Sequence, residues 1–248
     1  MNASSMPLLR QLPAANRLPV SVAPDAEIAE AITIMLAEDF SQLPVMQGER
    51  EVKGYINWRS IGEAFATGQN VAYVKECMTG PCKEVPDDLS LLDAVTEIAS
   101  HDFVLVRGKD RKVIGLVTTS DITQHFHEMA EPFFLLGHIE DHLRALIDAY
   151  FSVNEISAAK DPRDEAREVT KAADMTFGEY MRLLENPANW QKLGRARLSR
   201  DQMIKYLKEL NKIRNQLMHF HPGDMQAESI SLLRNFSKLL MQLRPKSS

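Results

Sequence analysis

The chain has only two cysteines in 248 residues, Cys77 and Cys82. Two thiols do not build a disulfide-stapled secreted scaffold, and without a second Cys/His pair they do not form a structural zinc site. Long apolar runs are missing too: no stretch reaches 18 residues, so no membrane-spanning helix is expected. The first residues, 1–18, contain Arg10 and Arg17 but no apolar segment of the kind a signal peptide needs. A reducing, cytoplasmic setting with no membrane partner is therefore expected. The glycine-rich phosphate loops Gly-x-x-x-x-Gly-Lys-Ser/Thr and Gly-x-Gly-x-x-Gly are absent, which argues against a P-loop or dinucleotide-binding enzyme. Three histidine pairs (His125/His127, His138/His142, His219/His221) lack Cys or carboxylate companions in a metal-binding order. They read as solvated or core residues, and no metal is expected.

The chain does have 44% hydrophobic and 25% charged residues, ordinary for a globular protein of one large or two small domains. The net charge of −5 is unevenly placed. Residues 1–130 carry 11 Lys and Arg against 18 Asp and Glu, whereas residues 131–248 carry 18 against 16. Within the second part, residues 192–214 hold eight basic residues and two acids, Asp201 and Glu209. Such a local excess is either a solvated helix face or a surface for an anionic partner such as RNA.

The first half contains an internal repeat. Val20-Ser-Val-Ala-Pro24-Asp25 corresponds to Cys82-Lys-Glu-Val-Pro86-Asp87. Apolar residues at helical spacing follow each: Ile28, Ala31, Ile32, Met35 and Leu36, then Leu91, Leu92, Val95, Ile98 and Ala99. Two short apolar runs come next in each copy, Leu43–Met46 with Val52–Ile56 and Phe103–Val106 with Val113–Val117, and a short helix closes the unit. The offset between copies is 61–63 residues. Two such β-α-β-β-α units are too few for a solenoid and more naturally pair as one pseudo-symmetric domain.

The second copy ends its last strand with Gly115-Leu-Val-Thr-Thr-Ser-Asp121, a glycine, two apolar residues, threonine, and aspartate three residues later. With Asp39-Phe-Ser-Gln-Leu-Pro-Val45 in copy one, this resembles the cystathionine β-synthase (CBS) motif, and the pair over residues 15–130 resembles a Bateman module. On its own chemistry, a hydroxyl at Thr118 and a carboxylate at Asp121 across a strand-to-helix turn suit a ribose diol, and helix-start amides suit phosphate. The resemblance implies an adenine nucleotide as regulatory ligand, held by Thr118, Ser120 and Asp121. It also implies that Val20–Ala23 (Ala23 included) and Ser41, Gln42 and Leu43 line the base, with Arg59 facing phosphate. The alternative role of Asp121 is as a helix cap alone. In copy one the corresponding positions are Asn57 and Ser60, and Ser60 supplies no carboxylate, so one working site per chain is expected.

The second half reads as helical throughout. Residues 129–155 carry apolar residues at three- and four-residue steps, with Pro132 in the first turn. Residues 161–173 form a polar helix candidate. Thr176/Glu179 and Ser199/Gln202 are capping boxes opening helices at Phe177 and Arg200, and a last helix spans 227–243. The expected fold class is thus an α+β CBS pair followed by an all-α helical bundle, divided as tail 1–14, pair 15–130 and bundle 131–248. Near the end of the Arg200 helix stand Arg214, Asn215 and His219. This Arg-polar-x-x-x-His pattern resembles the HEPN superfamily. That resemblance implies a homodimer and a metal-independent ribonuclease. In it His219 would handle the 2′-hydroxyl proton, Arg214 would steady the phosphorane and Asn215 would orient them, as a stress or defence effector under nucleotide control. The alternative is a non-catalytic, ligand-responsive interaction module.

Overall fold

The computed structural model describes residues 7–164, 166–194, 198–218 and 225–243. The chain divides into two compact units, Met1–Phe126 and His127–Ser248.

In the first unit the two repeats are laid out alike. Copy one runs α1 (Ile28–Ala37), β1 (Gln42–Gln47), β2 (Glu51–Asn57) and α2 (Trp58–Ala66). Copy two runs β3 (Glu84–Pro86), α3 (Leu91–His101), β4 (Phe103–Arg107), β5 (Val113–Thr118) and the start of α4 (Thr119–Tyr150). The strands β1 and β2 are antiparallel with Val45 opposite Gly54; β4 and β5 are antiparallel with Val106 opposite Gly115. The β3 strand lies parallel to β4, and Val22 makes the corresponding single bridge to Val45. The apolar runs picked out from the sequence are the buried ones: Leu43, Val45 and Ile56 in one core, Val104, Val106 and Val117 in the other. Burying such side chains contributes roughly 1.5–3 kcal/mol each. Between the repeats, Met46, Phe103, Leu105 and Val113 form a third cluster, with Tyr55 set edge-on to Phe103 at 5.2 Å.

The segments that precede the two repeats cross over. Residues 71–77 precede copy two, yet Val71, Val74 and Cys77 are buried in the core of copy one. Residues 9–15 precede copy one, yet Leu9, Leu12 and Ala15 are buried in the core of copy two. The backbone repeats the exchange: Glu27 bridges Tyr73, and Ser90 bridges Leu8. The stretch expected to be a tail, 1–14, is therefore structural from Leu9 onward. Its apolar residues come every third position in two short 3-10 turns, Leu9–Gln11 and Pro13–Asn16, a pattern too brief to register as a helix.

Gly54 and Gly115 hold equivalent places in this exchange. A Cβ on Gly115 would lie 2.3 Å from the carbonyl oxygen of Ala15, and one on Gly54 2.2 Å from that of Thr79. Both obstacles are backbone, so neither can swing away. Gly115→Ala should destabilise the first unit by about 1–3 kcal/mol, the usual cost of overpacking. Gly62→Ala, on α2 with nothing within 4 Å of the added Cβ, should be neutral or better. Thermal unfolding of the two variants checks this, and an equal response at both positions would contradict the close-approach argument.

The second unit is helical in its described residues. It contains the remainder of α4, then α5 (Val153–Ala158), α6 (Phe177–Glu185), α7 (Pro187–Lys192), α8 (Arg200–Met218) and α9 (Ala227–Gln242). Ile139, Leu143 and Ile147 of α4 pack with Tyr180, Leu183, Leu207, Leu210, Leu233 and Phe236 in one core. Two expectations are corrected. The short helix closing copy two and the helix from 129 are one continuous element of 32 residues, and Pro132 lies inside it, removing one amide donor from the ladder. Residues 161–173 are not an α-helix: Asp161 accepts from the Arg163 amide and guanidinium, and Arg167 bonds Asp164, the Asp174 carbonyl and Glu179. These local side-chain bonds compete with the helical ladder and hold a turn instead. The Thr176/Glu179 capping box is as read, with the Glu179 amide donating to Thr176 Oγ1 and the Thr176 amide to Glu179 Oε2, and at Ser199 the hydroxyl accepts from the Gln202 amide.

Candidate functional site

A cavity of about 740 Å³ opens in the first unit. Both repeats reach it at corresponding places, the turns that open α2 and α4. At the α4 turn, Thr118 and Asp121 form a reciprocal cap. Asp121 Oδ2 accepts from the Thr118 amide at 2.8 Å and from its hydroxyl at 2.6 Å, while the Asp121 amide donates to Thr118 Oγ1 at 3.3 Å. Thr118 is thus the cap residue, and Asp121 sits in the first helical turn with its second oxygen, Oδ1, uncommitted among the described residues. At the α2 turn, Asn57 and Ser60 make the same box without charge: the Ser60 amide donates to Asn57 Oδ1 at 2.7 Å and the Asn57 amide to Ser60 Oγ at 3.2 Å. One turn therefore presents a half-buried carboxylate and the other presents none.

Of the expected ligand-contact residues, Thr118, Ser120, Asp121, Ser41, Gln42, Leu43 and Arg59 all line this cavity. Ala23 does not. Val22 is tied to β1 by its amide to the Pro44 carbonyl and by the Met46 amide to its own carbonyl, which sends the chain on into the turn before α1 and leaves Ala23 exposed elsewhere. Of residues 20–23 only Val20 lines the cavity.

Sequence reasoning missed several lining residues: Arg17, Leu18, Asp39, Trp58 and Asp102. Leu18, Val20 and Trp58 are exposed apolar side chains at 63, 44 and 39% accessibility, surface on which a flat ring can settle. The Trp58 indole donates to the Phe40 carbonyl at 3.1 Å and so holds the loop between α1 and β1. Two residues separate Asp39 from Gln42 in that loop and none separates the equivalent Asp102 from Phe103, which accounts for the drop in repeat offset from 63 to 61. Asp39 and Asp102 occupy the same place in each copy, just past α1 and α3, at φ of +56° and +66°. Aspartate tolerates that left-handed conformation better than most residues.

Of the three residues singled out in the helical unit, Arg214 carries an ion pair to α4. Arg214 Nε donates to Glu140 Oε1 at 2.9 Å, and Arg144 donates to Glu140 Oε2 at 2.8 Å and to the Tyr180 hydroxyl at 3.0 Å. That last bond raises the pKa of Arg144, while burial pushes the Tyr180 phenol above its usual range. The arginine next to the apolar face thus has its charge partner on α4. Asn215 is exposed on α8, and His219 lies outside the described residues. Part of the basic run is paired with acids, two of them remote in sequence. Lys192 pairs with Glu155, Lys208 with Glu185 and Lys212 with Glu209. The histidines at 138 and 142 stack edge-on at 4.3 Å. Buried His142 donates through Nδ1 to the His138 carbonyl, and no partner of its Nε2 exists among the described residues. No three His, Cys, Asp or Glu among the described residues gather as a metal-binding group. No helix among them is long and apolar enough to cross a membrane.

The family model described as "CBS domain" matches twice, over residues 13–66 and 74–128. Residues 13–128 are a tandem pair of CBS domains. The two matches bound the repeats seen in the fold, and the second ends within α4. No curated protein matches the chain. Solved structures similar to the CBS pair include the CBS domain pair of protein MJ0100 in complex with 5′-methylthioadenosine and S-adenosyl-L-methionine. It is 22% identical, covers 49% of this chain and 96% of that one, and has a TM-score of 0.43. CBSX2 in complex with AMP is 16% identical, covers 48% and 96%, and scores 0.41. A CBS domain-containing protein of unknown function from Bacillus anthracis is 16% identical, covers 48% and 92%, and scores 0.43.

Proposed function

We propose that the chain is a nucleotide-sensing regulatory protein. Its CBS pair binds one adenosine-type ligand, and the helical unit from residue 131 responds as the effector. The observation that carries this reading is the cavity between the α2 and α4 turns, with one carboxylate oxygen of Asp121 uncommitted beside Thr118 and apolar side chains near by. A carboxylate and a hydroxyl can bond a ribose diol, and Leu18, Val20 and Trp58 offer a surface to the base. The uncharged Asn57/Ser60 box supports a stoichiometry of one.

For the effector we favour a HEPN-like interaction module that has no cleavage activity in the state described. The pairing of Arg214 with Glu140 supports this, because a guanidinium held by a carboxylate is withdrawn from a phosphate. The ribonuclease reading, with Arg214, Asn215 and His219 acting in a homodimer on RNA, requires that pair to part. Titration of the full chain with adenosine and AMP in a calorimeter should give saturable heat at one ligand per chain, together with a raised melting temperature. The protein should leave an RNA pool intact with or without ligand. Absence of both heat and thermal shift would sink the sensor reading. Cleavage that His219→Ala abolishes would replace the interaction module with the nuclease.

A further inference from the structure

The cavity is large enough that size does not choose among adenine nucleotides; about 740 Å³ lies well within the 300–1,000 Å³ of ordinary small-molecule sites. Its charges do choose. Three carboxylates line it: Asp39, Asp102 and Asp121. None of the three has a cationic partner among the described residues. Of the lining cations, Arg59 is already paired with Glu63 at 2.8 Å, which leaves Arg17 without an acidic partner among those residues. Helix starts add about half a positive charge each. At α4, however, that half-charge is offset by Asp121 in the first turn, so the α2 start, whose corresponding residue is neutral Ser60, is the more hospitable to an anion.

Resting on the reading of this cavity as an adenosine site, we infer that it takes adenosine or its monophosphate and discriminates against free nucleoside di- and triphosphates. One phosphoryl group finds Arg17 and the α2 amides. Each further phosphate adds negative charge to a space that already holds three carboxylates. Water screens part of that repulsion, but the cavity walls limit the screening.

Asp39 and Asp102 allow a test that spares the ribose-binding machinery. Both hold positive φ, a conformation asparagine adopts at least as readily, so the double variant Asp39→Asn/Asp102→Asn should fold. Binding of adenosine, AMP, ADP and ATP is measured on the full chain by calorimetry, in EDTA so that no divalent cation bridges phosphate to carboxylate. The wild type should bind adenosine and AMP at least tenfold more tightly than ATP. In the double variant that gap should narrow several-fold through tighter ATP binding, with adenosine unchanged. ATP binding as tightly as AMP to the wild type would overturn the inference, as would a gap the double variant leaves intact. Failure of all four ligands to bind marks the other failure, that of the adenosine site itself.

Discussion

Replacing Asp121 should abolish nucleotide binding without unfolding the protein. Asp121→Asn keeps the shape of the cap, and its amide oxygen can still accept from the Thr118 amide as Oδ2 does now at 2.8 Å. What it loses is the second carboxylate oxygen and the charge. Hydrogen bonds to a charged group are worth about 1.5–3 kcal/mol each, so losing the one uncommitted oxygen that can accept from both hydroxyls of a diol weakens binding roughly 100-fold or more. Asp121→Ala loses the cap as well, at about 1 kcal/mol of stability. The pair of variants separates the two roles of this aspartate. If it serves only as a cap, Asp121→Asn binds adenosine like the wild type, and the ligand reading falls. The matched substitution in copy one, Ser60→Ala, should leave affinity nearly unchanged, since its hydroxyl is spent on the Asn57 amide and carbonyl.

Leu12→Ala, near the start of the chain, should cost as much stability as a truncation in a domain core. Leu12 is 1% exposed and packs in the core of copy two with Leu9, Leu91 and Val117. Truncating a buried leucine typically costs 2–5 kcal/mol, transfer and cavity together. A substitution in an unstructured tail would cost nothing measurable. Chemical denaturation of the full chain should show the transition of the first unit moving to lower denaturant, with the helical unit unaffected. Leu18→Ala, at 63% exposure, serves as the comparison and should barely move it.

The α+β pair and the helical second half were legible because both rest on short-range patterns. The repeat gave its strands through Val and Ile runs, and capping residues such as Thr176 and Ser199 announced helix starts. The candidate site was legible where a motif is contiguous, as at Thr118–Asp121. It was not legible where distant segments meet. Asp39 and Asp102 lie 63 residues apart, one in each copy, and only the fold brings both to one cavity. Glu140, which explains Arg214, is 74 residues away from it, and Glu155 and Glu185 neutralise lysines on helices far along the chain. A local count of charges sees the basic run and not the acids folded against it. The continuous α4 was missed for the opposite reason: Pro132 is a strong local signal, and the packing of the helix on either side of it overrides that signal.

The exchanged segments also bear on how the chain is made. Residues 9–15 leave the ribosome before their burial partners in copy two, from Val85 to Ile122, which follow about 75–110 residues later. At synthesis rates of about 5–20 residues per second, Leu9 and Leu12 wait on the order of 4–20 s for a core to enter. Copy one is in the same position, since its core lacks Val71, Val74 and Cys77 until the linker emerges. Neither repeat can finish folding from its own residues, so translation delivers the pair as one late, joint event rather than as two successive domains.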